Sequence, residues 1–142
     1  MSNATRHVRV TLVDDHPAVI QQTIKLLPPE FEVVEALEDG SRLLKSVELH
    51  QPDIVVLDIT LPGENGIELA TKLQKSGCGA KIVFLTVHGD PDYAREAFAA
   101  GASAYVLKPR LASDLAKALD SVLRGNRFIS PSAELKDIQF PN

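Results

Sequence analysis

The sequence predicts an α/β fold of the (βα)5 kind, a doubly wound, five-stranded parallel sheet with helices on both faces. Three observations carry that expectation. Short apolar runs alternate with amphipathic stretches at a steady interval, the pattern of parallel strands joined by crossover helices. The runs Ile54–Leu57 and Ile82–Leu85 are apolar at every position, as strands buried on both faces are. Four of the five runs also end on chemistry: Val8–Val13 on Asp14-Asp15, Ile54–Leu57 on Asp58, Ile82–Leu85 on Thr86, and Ala104–Leu107 on Lys108-Pro109. Parallel strands share one direction, so these groups converge on the crevice beyond the strand ends.

The elements follow in order. After the first strand, Ala18, Val19, Thr23, Ile24, Leu26 and Leu27 make an apolar helix face that Pro28-Pro29 closes. Phe31–Ala36 is the second strand, and Glu32 and Glu35 place it at the periphery of the sheet. Asp39-Gly40-Ser41 opens a helix carrying Leu43, Leu44, Val47 and Leu49, stopped by Pro52. The third strand is followed by a helix from Gly66 to about Ser76 with Ile67, Leu69, Ala70 and Leu73 on one face, ended at Gly77-Cys78-Gly79. The fourth helix, Pro91 to Ala100, starts from the cap Asp90 with proline in its first turn and stops at Gly101. Pro109 precedes a fifth helix that begins at Leu111 or Ser113 and closes at Arg124-Gly125-Asn126.

The globular part is thus expected to span residues 7–125. Residues 1–6 are expected to be disordered or vector-derived, and residues 126–142 to be a linker or cut end, with one helical turn near Ala133–Ile138.

Composition bounds the function classes. The chain of 142 residues, 44% hydrophobic, suits one soluble domain. No apolar run approaches the ~20 residues that span a bilayer, and the N-terminus shows no signal-peptide core. The single Cys78 excludes an internal disulfide and fits a cytoplasmic setting. A net charge of −4 without a basic cluster argues against DNA binding by this chain. Neither a Gly-Lys-Ser/Thr phosphate loop nor a glycine-rich first turn is present.

The converging groups carry the functional reading. Carboxylates of Asp14, Asp15 and Asp58 about 4 Å apart repel by about 4 kcal/mol per pair at an effective dielectric of 20. Lys108 offsets one charge, and a divalent cation brings the sum to zero. An all-oxygen set with open positions suits Mg²⁺. Mg²⁺ with a lysine opposite is apparatus for a transferring phosphoryl group, and a carboxylate can attack phosphorus to give an aspartyl phosphate. Asp58, alone on a central strand and followed by the small, turn-forming Leu61–Gly66 loop, is the candidate nucleophile. Thr86 adds a short hydroxyl within reach of a phosphoryl oxygen.

The ordered set Asp14-Asp15, Asp58 with Leu61-Pro62 and Gly66, Thr86, and Tyr105 three residues before Lys108-Pro109 closely resembles the receiver domain of bacterial two-component response regulators. Asp14-Asp15-His16-Pro17, the stretch Gly101–Lys108 and the stretch Gly125–Pro131 are most similar to the NarL/FixJ (LuxR-type) subfamily. The resemblance covers residues 7–125. It implies the flavodoxin-like, CheY-like three-layer sandwich with strand order 2-1-3-4-5.

By the same resemblance Asp58 accepts a phosphoryl group from a sensor histidine kinase. Asp15 and Asp58 bind Mg²⁺ through side chains, Thr60 through its carbonyl and Asp14 through water. Lys108 pairs with the phosphoryl group, Thr86 swings toward it, and Tyr105 turns inward behind it. The resemblance further implies no enzyme activity beyond the domain's own phosphorylation and dephosphorylation, and dimerisation on phosphorylation. The output is expected to be a LuxR-type helix-turn-helix that this chain lacks.

Val87 follows Thr86 where many receivers carry alanine or glycine, and Thr60 and His88 occupy positions that tune aspartyl-phosphate hydrolysis in the family. His16 reads as a loop histidine, and His7, His50 and His88 as exposed residues without metal-ligand partners. Two alternatives stand beside this reading. A haloacid-dehalogenase-like Mg²⁺-dependent phosphatase uses the same residue types, but with its nucleophile on the first strand and its acidic pair last. The other is a stand-alone single-domain regulator.

Overall fold

Alternation along each strand decides which helix covers which face. In the computed structural model, which describes residues 7–138, Val55, Leu57, Ile82, Phe84 and Tyr105 point into one core with Leu43, Leu69, Leu73 and Phe98. Their neighbours Ile54, Val56, Val83, Leu85, Ala104 and Val106 point into a second core with Ile20, Leu115, Leu119 and Val122. The period of two thus fills both faces of the sheet, giving three layers.

The chain runs β1 (Val8–Val13), α1 (Pro17–Leu26), β2 (Phe31–Leu37), α2 (Leu43–His50), β3 (Ile54–Leu57), a two-stranded hairpin β4 (Thr60–Leu61) and β5 (Glu64–Asn65), and α3 (Gly66–Lys75). It continues with β6 (Lys81–Thr86), α4 (Pro91–Ala99), β7 (Ala104–Leu107), a 3₁₀ turn Lys108–Arg110, α5 (Leu111–Leu123) and β8 (Phe128–Ile129). The main sheet has the order β2-β1-β3-β6-β7-β8, with every pairing parallel. With the hairpin set aside, this is the expected 2-1-3-4-5 order plus one strand. Helices α2, α3 and α4 supply the first core, and α1 and α5 the second.

The short β8 adds a sixth strand to the expected five. Phe128 and Ile129 pair with Ala104 and Tyr105, and the Ser130 amide continues the ladder to the Tyr105 carbonyl at 2.9 Å. Beyond it, the anticipated turn forms between Ser132 and Ile138, and Leu135 is fully buried in the first core. The stretch that reads as a linker or cut end therefore covers the outer edge of β7. A two-residue strand is too short to announce itself by alternation. Residues 1–6 and the Phe140–Asn142 end of the sequence lie outside the described residues.

Three smaller differences concern helix limits and faces. The second helix starts at Leu43, because Asp39 turns the preceding loop by accepting from the Ser41 amide at 2.9 Å. In α1 the buried residues are Ile20 and Thr23, while Ile24 is 38% exposed. In α2, Leu44 and Leu49 face outward. Among the described residues no helix is long and apolar enough to cross a membrane.

Candidate functional site

Backbone register builds the site. Val13 pairs with Leu57, and the Asp58 amide donates to the Val13 carbonyl at 3.0 Å, so Asp14 and Asp58 leave adjacent strands side by side. Thr86 pairs with Leu107, which brings Lys108 to the same end of the sheet. Asp14 and Asp58 are both buried. Lys108 Nζ lies 2.9 Å from Asp14 Oδ2 and 2.9 Å from Asp58 Oδ2. Asp58 Oδ1 accepts from the Thr60 amide at 3.2 Å.

The glycine that opens α3 is a condition of this geometry. A Cβ on Gly66 would collide with the Asp58 carbonyl oxygen and with Ile59 Cα. The Gly66 amide donates to the Ile59 carbonyl at 2.6 Å, and Asn65 caps the helix by accepting from Ile67 at 2.7 Å. Only a residue without a side chain lets α3 start so close behind the β3 end.

Burial raises the pKa of Asp58 above the ordinary carboxylate value, and the repulsion of Asp14 adds to it. Lys108 and the Thr60 amide pull the other way, less strongly. Burial alone would lower the pKa of Lys108; the facing carboxylates of Asp14 and Asp58 outweigh it and leave the ammonium more firmly protonated. Asp14, Asp15, His16 and Asp58 each bring one ligand atom within 4.8 Å of the others. Asp14, Asp15 and Asp58 have Lys108 as the one ammonium facing them among the described residues, and it lies between Asp14 and Asp58. The three carboxylates thus keep a negative excess, and the oxygen donors fit a divalent metal.

The structure gathers the expected residues and adds two. Thr86 is fully buried at the end of β6, and its hydroxyl accepts from the His88 amide at 3.1 Å. Tyr105 is also fully buried, and its hydroxyl donates to the His88 carbonyl at 2.7 Å. Burial raises its pKa. His88, read as an exposed residue, is instead a junction. Its Nε2 lies 2.7 Å from Thr60 Oγ1, and its ring stacks on Tyr93 of α4 at 4.2 Å. The loop after β3 and the loop after β6 are thereby tied together above Asp58. Thr60 and His88 are 28 positions apart, so only the fold makes them partners.

His16 is the second addition. Its side chain is 61% exposed, yet Nδ1 lies 3.0 Å from Asp14 Oδ1 and 3.0 Å from Asp15 Oδ1. His50 is half-buried, with Nε2 3.4 Å from Glu35 Oε1, whereas His7 is exposed. Val87 is 64% exposed at the mouth of the site.

A parallel three-layer sandwich that gathers an acidic pair, a central-strand aspartate, a threonine and a lysine at its strand ends has the form of a signal-receiving domain. The model of the response regulator receiver domain matches residues 10–120, and the chain belongs to that family. It is 33% identical over 126 residues to the transcriptional regulatory protein DegU of Brevibacillus brevis, covering 87% of this chain and 53% of that one. It is 37% identical over 105 residues to the transcriptional regulatory protein DesR of Bacillus subtilis, covering 74% and 52% of the two chains. The chain thus spans about half the length of these relatives.

Among solved structures, a LuxR-family two-component response regulator from Aurantimonas sp. SI85-9A1 superimposes with a TM-score of 0.83 at 37% identity, covering 88% of this chain and 91% of that one. The isolated receiver domain of RcsB from Salmonella enterica serovar Typhimurium, with the phosphomimetic BeF3-, gives 0.83 at 25% identity over 91% and 96% of the chains. The chain is a receiver domain of the NarL/LuxR-type regulators, and the haloacid-dehalogenase-like alternative falls with that assignment.

Proposed function

We propose that Asp58 accepts a phosphoryl group from the phosphohistidine of a sensor histidine kinase and that the domain relays this event to an output module. The observation that supports it most is the pair of 2.9 Å contacts from Lys108 Nζ to the buried carboxylates of Asp14 and Asp58. They hold Asp58 for attack and place a cation where charge accumulates. Asp58 Oδ1, the oxygen that faces the Thr60 amide, attacks phosphorus as the P–N bond to the donor imidazole breaks, and the leaving imidazole takes up a proton. Mg²⁺ held by Asp15, Asp58 and the Thr60 carbonyl, with Asp14 acting through water, would neutralise the phosphoryl oxygens. The domain acts on no substrate other than its own aspartate, and the setting that suits it is cytoplasmic.

The acylphosphate carries a charge of about −1.5 to −2. Lys108 stays paired with it, and the Thr86 hydroxyl proton, unused by the contact with the His88 amide, turns to a phosphoryl oxygen. Tyr105 already occupies the inward position, locked by the His88 carbonyl. Phosphorylation therefore acts on a pre-set tyrosine, and the movable parts are Thr86 and the His88 loop. The modified state pairs into a homodimer. DNA is reached through a further domain, as in a transcriptional regulator, and not by this chain.

Acetyl phosphate with Mg²⁺ tests the reading by intact mass. One phosphoryl group is expected on the wild type and none on Asp58→Asn. Equal modification of both would overturn it, as would steady turnover of p-nitrophenyl phosphate.

A further inference from the structure

Lys108 is the first residue beyond β7, so the course of the chain at that strand end decides where its ammonium stands. The strand end is gripped from outside by Ser130, a fully buried residue 23 positions from Leu107. The Ser130 amide donates to the Tyr105 carbonyl at 2.9 Å, and the Ser130 hydroxyl oxygen accepts from the Leu107 amide at 3.0 Å. In a continuing parallel ladder that amide would meet a strand carbonyl. Here the hydroxyl takes its place, and its own proton goes to Asp114 Oδ2 at 2.7 Å.

Asp114 holds the far side of the same turn. Its Oδ2 also accepts from Arg110 Nε at 2.8 Å, and its Oδ1 accepts from Arg110 Nη2 at 3.3 Å. Lys108 therefore lies between two anchors, Leu107 on Ser130 and Arg110 on Asp114, which are themselves joined. The ring of contacts closes on a carboxylate that is 1% exposed. Within it the Leu111 amide donates to the Lys108 carbonyl and shapes the Lys108–Arg110 turn. Covering the β7 edge needs only main-chain pairing, which β8 already makes. The hydroxyl adds the two bonds that connect this edge to the turn carrying Lys108.

We propose that Ser130 is a positioning residue for phosphoryl transfer: through the Leu107 amide and Asp114 it fixes the root of Lys108 and so holds the ammonium against Asp14 and Asp58. The inference rests on the reading of Asp58 as the phosphoacceptor. A lysine side chain is long and flexible, and its two 2.9 Å contacts last only while its backbone stays in place. The segment after α5 thereby becomes part of the machinery at the strand ends, and a pull on it loosens the cation that faces the phosphoryl group.

The rate of phosphorylation by acetyl phosphate with saturating Mg²⁺, followed by intact mass, tests this. Ser130→Ala should slow the reaction about ten-fold or more, and Ser130→Thr, which restores a hydroxyl, should recover most of the loss. Mg²⁺ affinity in calorimetric titration should not weaken in Ser130→Ala, because Asp14, Asp15 and Asp58 follow β1 and β3. In a Lys108→Ala background, Ser130→Ala should slow the reaction no further. Circular dichroism checks folding, and Ser130→Cys, close to serine in size but a weak hydrogen-bonding group, carries the same test through a smaller loss. Equal rates for wild type, Ser130→Ala and Ser130→Cys, with Asp58 modified in each, overturn this proposal and leave the phosphoacceptor reading standing. So does a loss of the same size in the Lys108→Ala background, or one matched by an equal loss of Mg²⁺ affinity. Absence of any phosphorylation of wild type at Asp58 overturns both.

Discussion

Asp114 shows how a single carboxylate can be buried in this fold. It is 1% exposed and accepts from Arg110 Nε at 2.8 Å, Ser130 Oγ at 2.7 Å and Ser113 Oγ at 3.0 Å. Burial alone would raise its pKa, but these donors outweigh it and leave the value lowered. A folded value below the unfolded one means that the ionised carboxylate stabilises the fold. That contribution is fully present above the unfolded value of about 3.9 and is lost as pH falls through the lower folded value. Asp114→Asn should therefore be less stable than wild type at neutral pH, and its melting temperature should fall less between pH 4 and lower pH. Thermal unfolding followed by circular dichroism across that range checks this. A parallel decline of the two proteins would contradict it. The residues that carry the site chemistry were legible because strand polarity forces strand ends together. The junction at His88 and the ring at His16 were not, since both depend on where loops of distant sequence meet.

The elements were legible where periodicity was long and unambiguous. All five principal strands and helices appear, with α4 beginning at its Asp90 cap as its sequence indicates. Helix faces were harder. Leu49 is 75% exposed in α2, because an eight-residue helix offers only two turns from which to read a face. The sixth strand and the docking of the anticipated turn behind it were hidden for a different reason. Their stability comes from docking on the β7 edge, through the Ser130 link to Asp114 and the burial of Leu135, and tertiary partners leave no local pattern. Leu135→Ala should then cost about 2–4 kcal/mol of unfolding free energy, as a core leucine does. It should also speed exchange of the Ser130 amide. A segment hanging free would show a change near zero in denaturant titration. Covered in this way, β7 offers no free edge for another strand.

At the scale of the molecule, the sheet presents its chemistry at one end and its joining segment at its edge. Tyr105 belongs to both: its hydroxyl donates to the His88 carbonyl, and its own carbonyl accepts from Ser130. Events at Asp58 thus have a short physical path to the segment after β8. The matched stretch spans about half the length of these relatives, and the chain carries a net charge of −4. The domain alone should give no sequence-dependent, salt-sensitive gel shift with DNA; such a shift would show that readout does not need a further domain. The central claim is that the phosphoryl group rests on Asp58 and on neither neighbouring acid. Borohydride reduction after phosphorylation, followed by peptide mass mapping, decides it, because an aspartyl phosphate is reduced to homoserine. Homoserine at position 58, dependent on both phosphodonor and divalent cation, is the predicted result. Homoserine at position 14 or 15, or phosphate on a serine, threonine or histidine instead, would contradict the account.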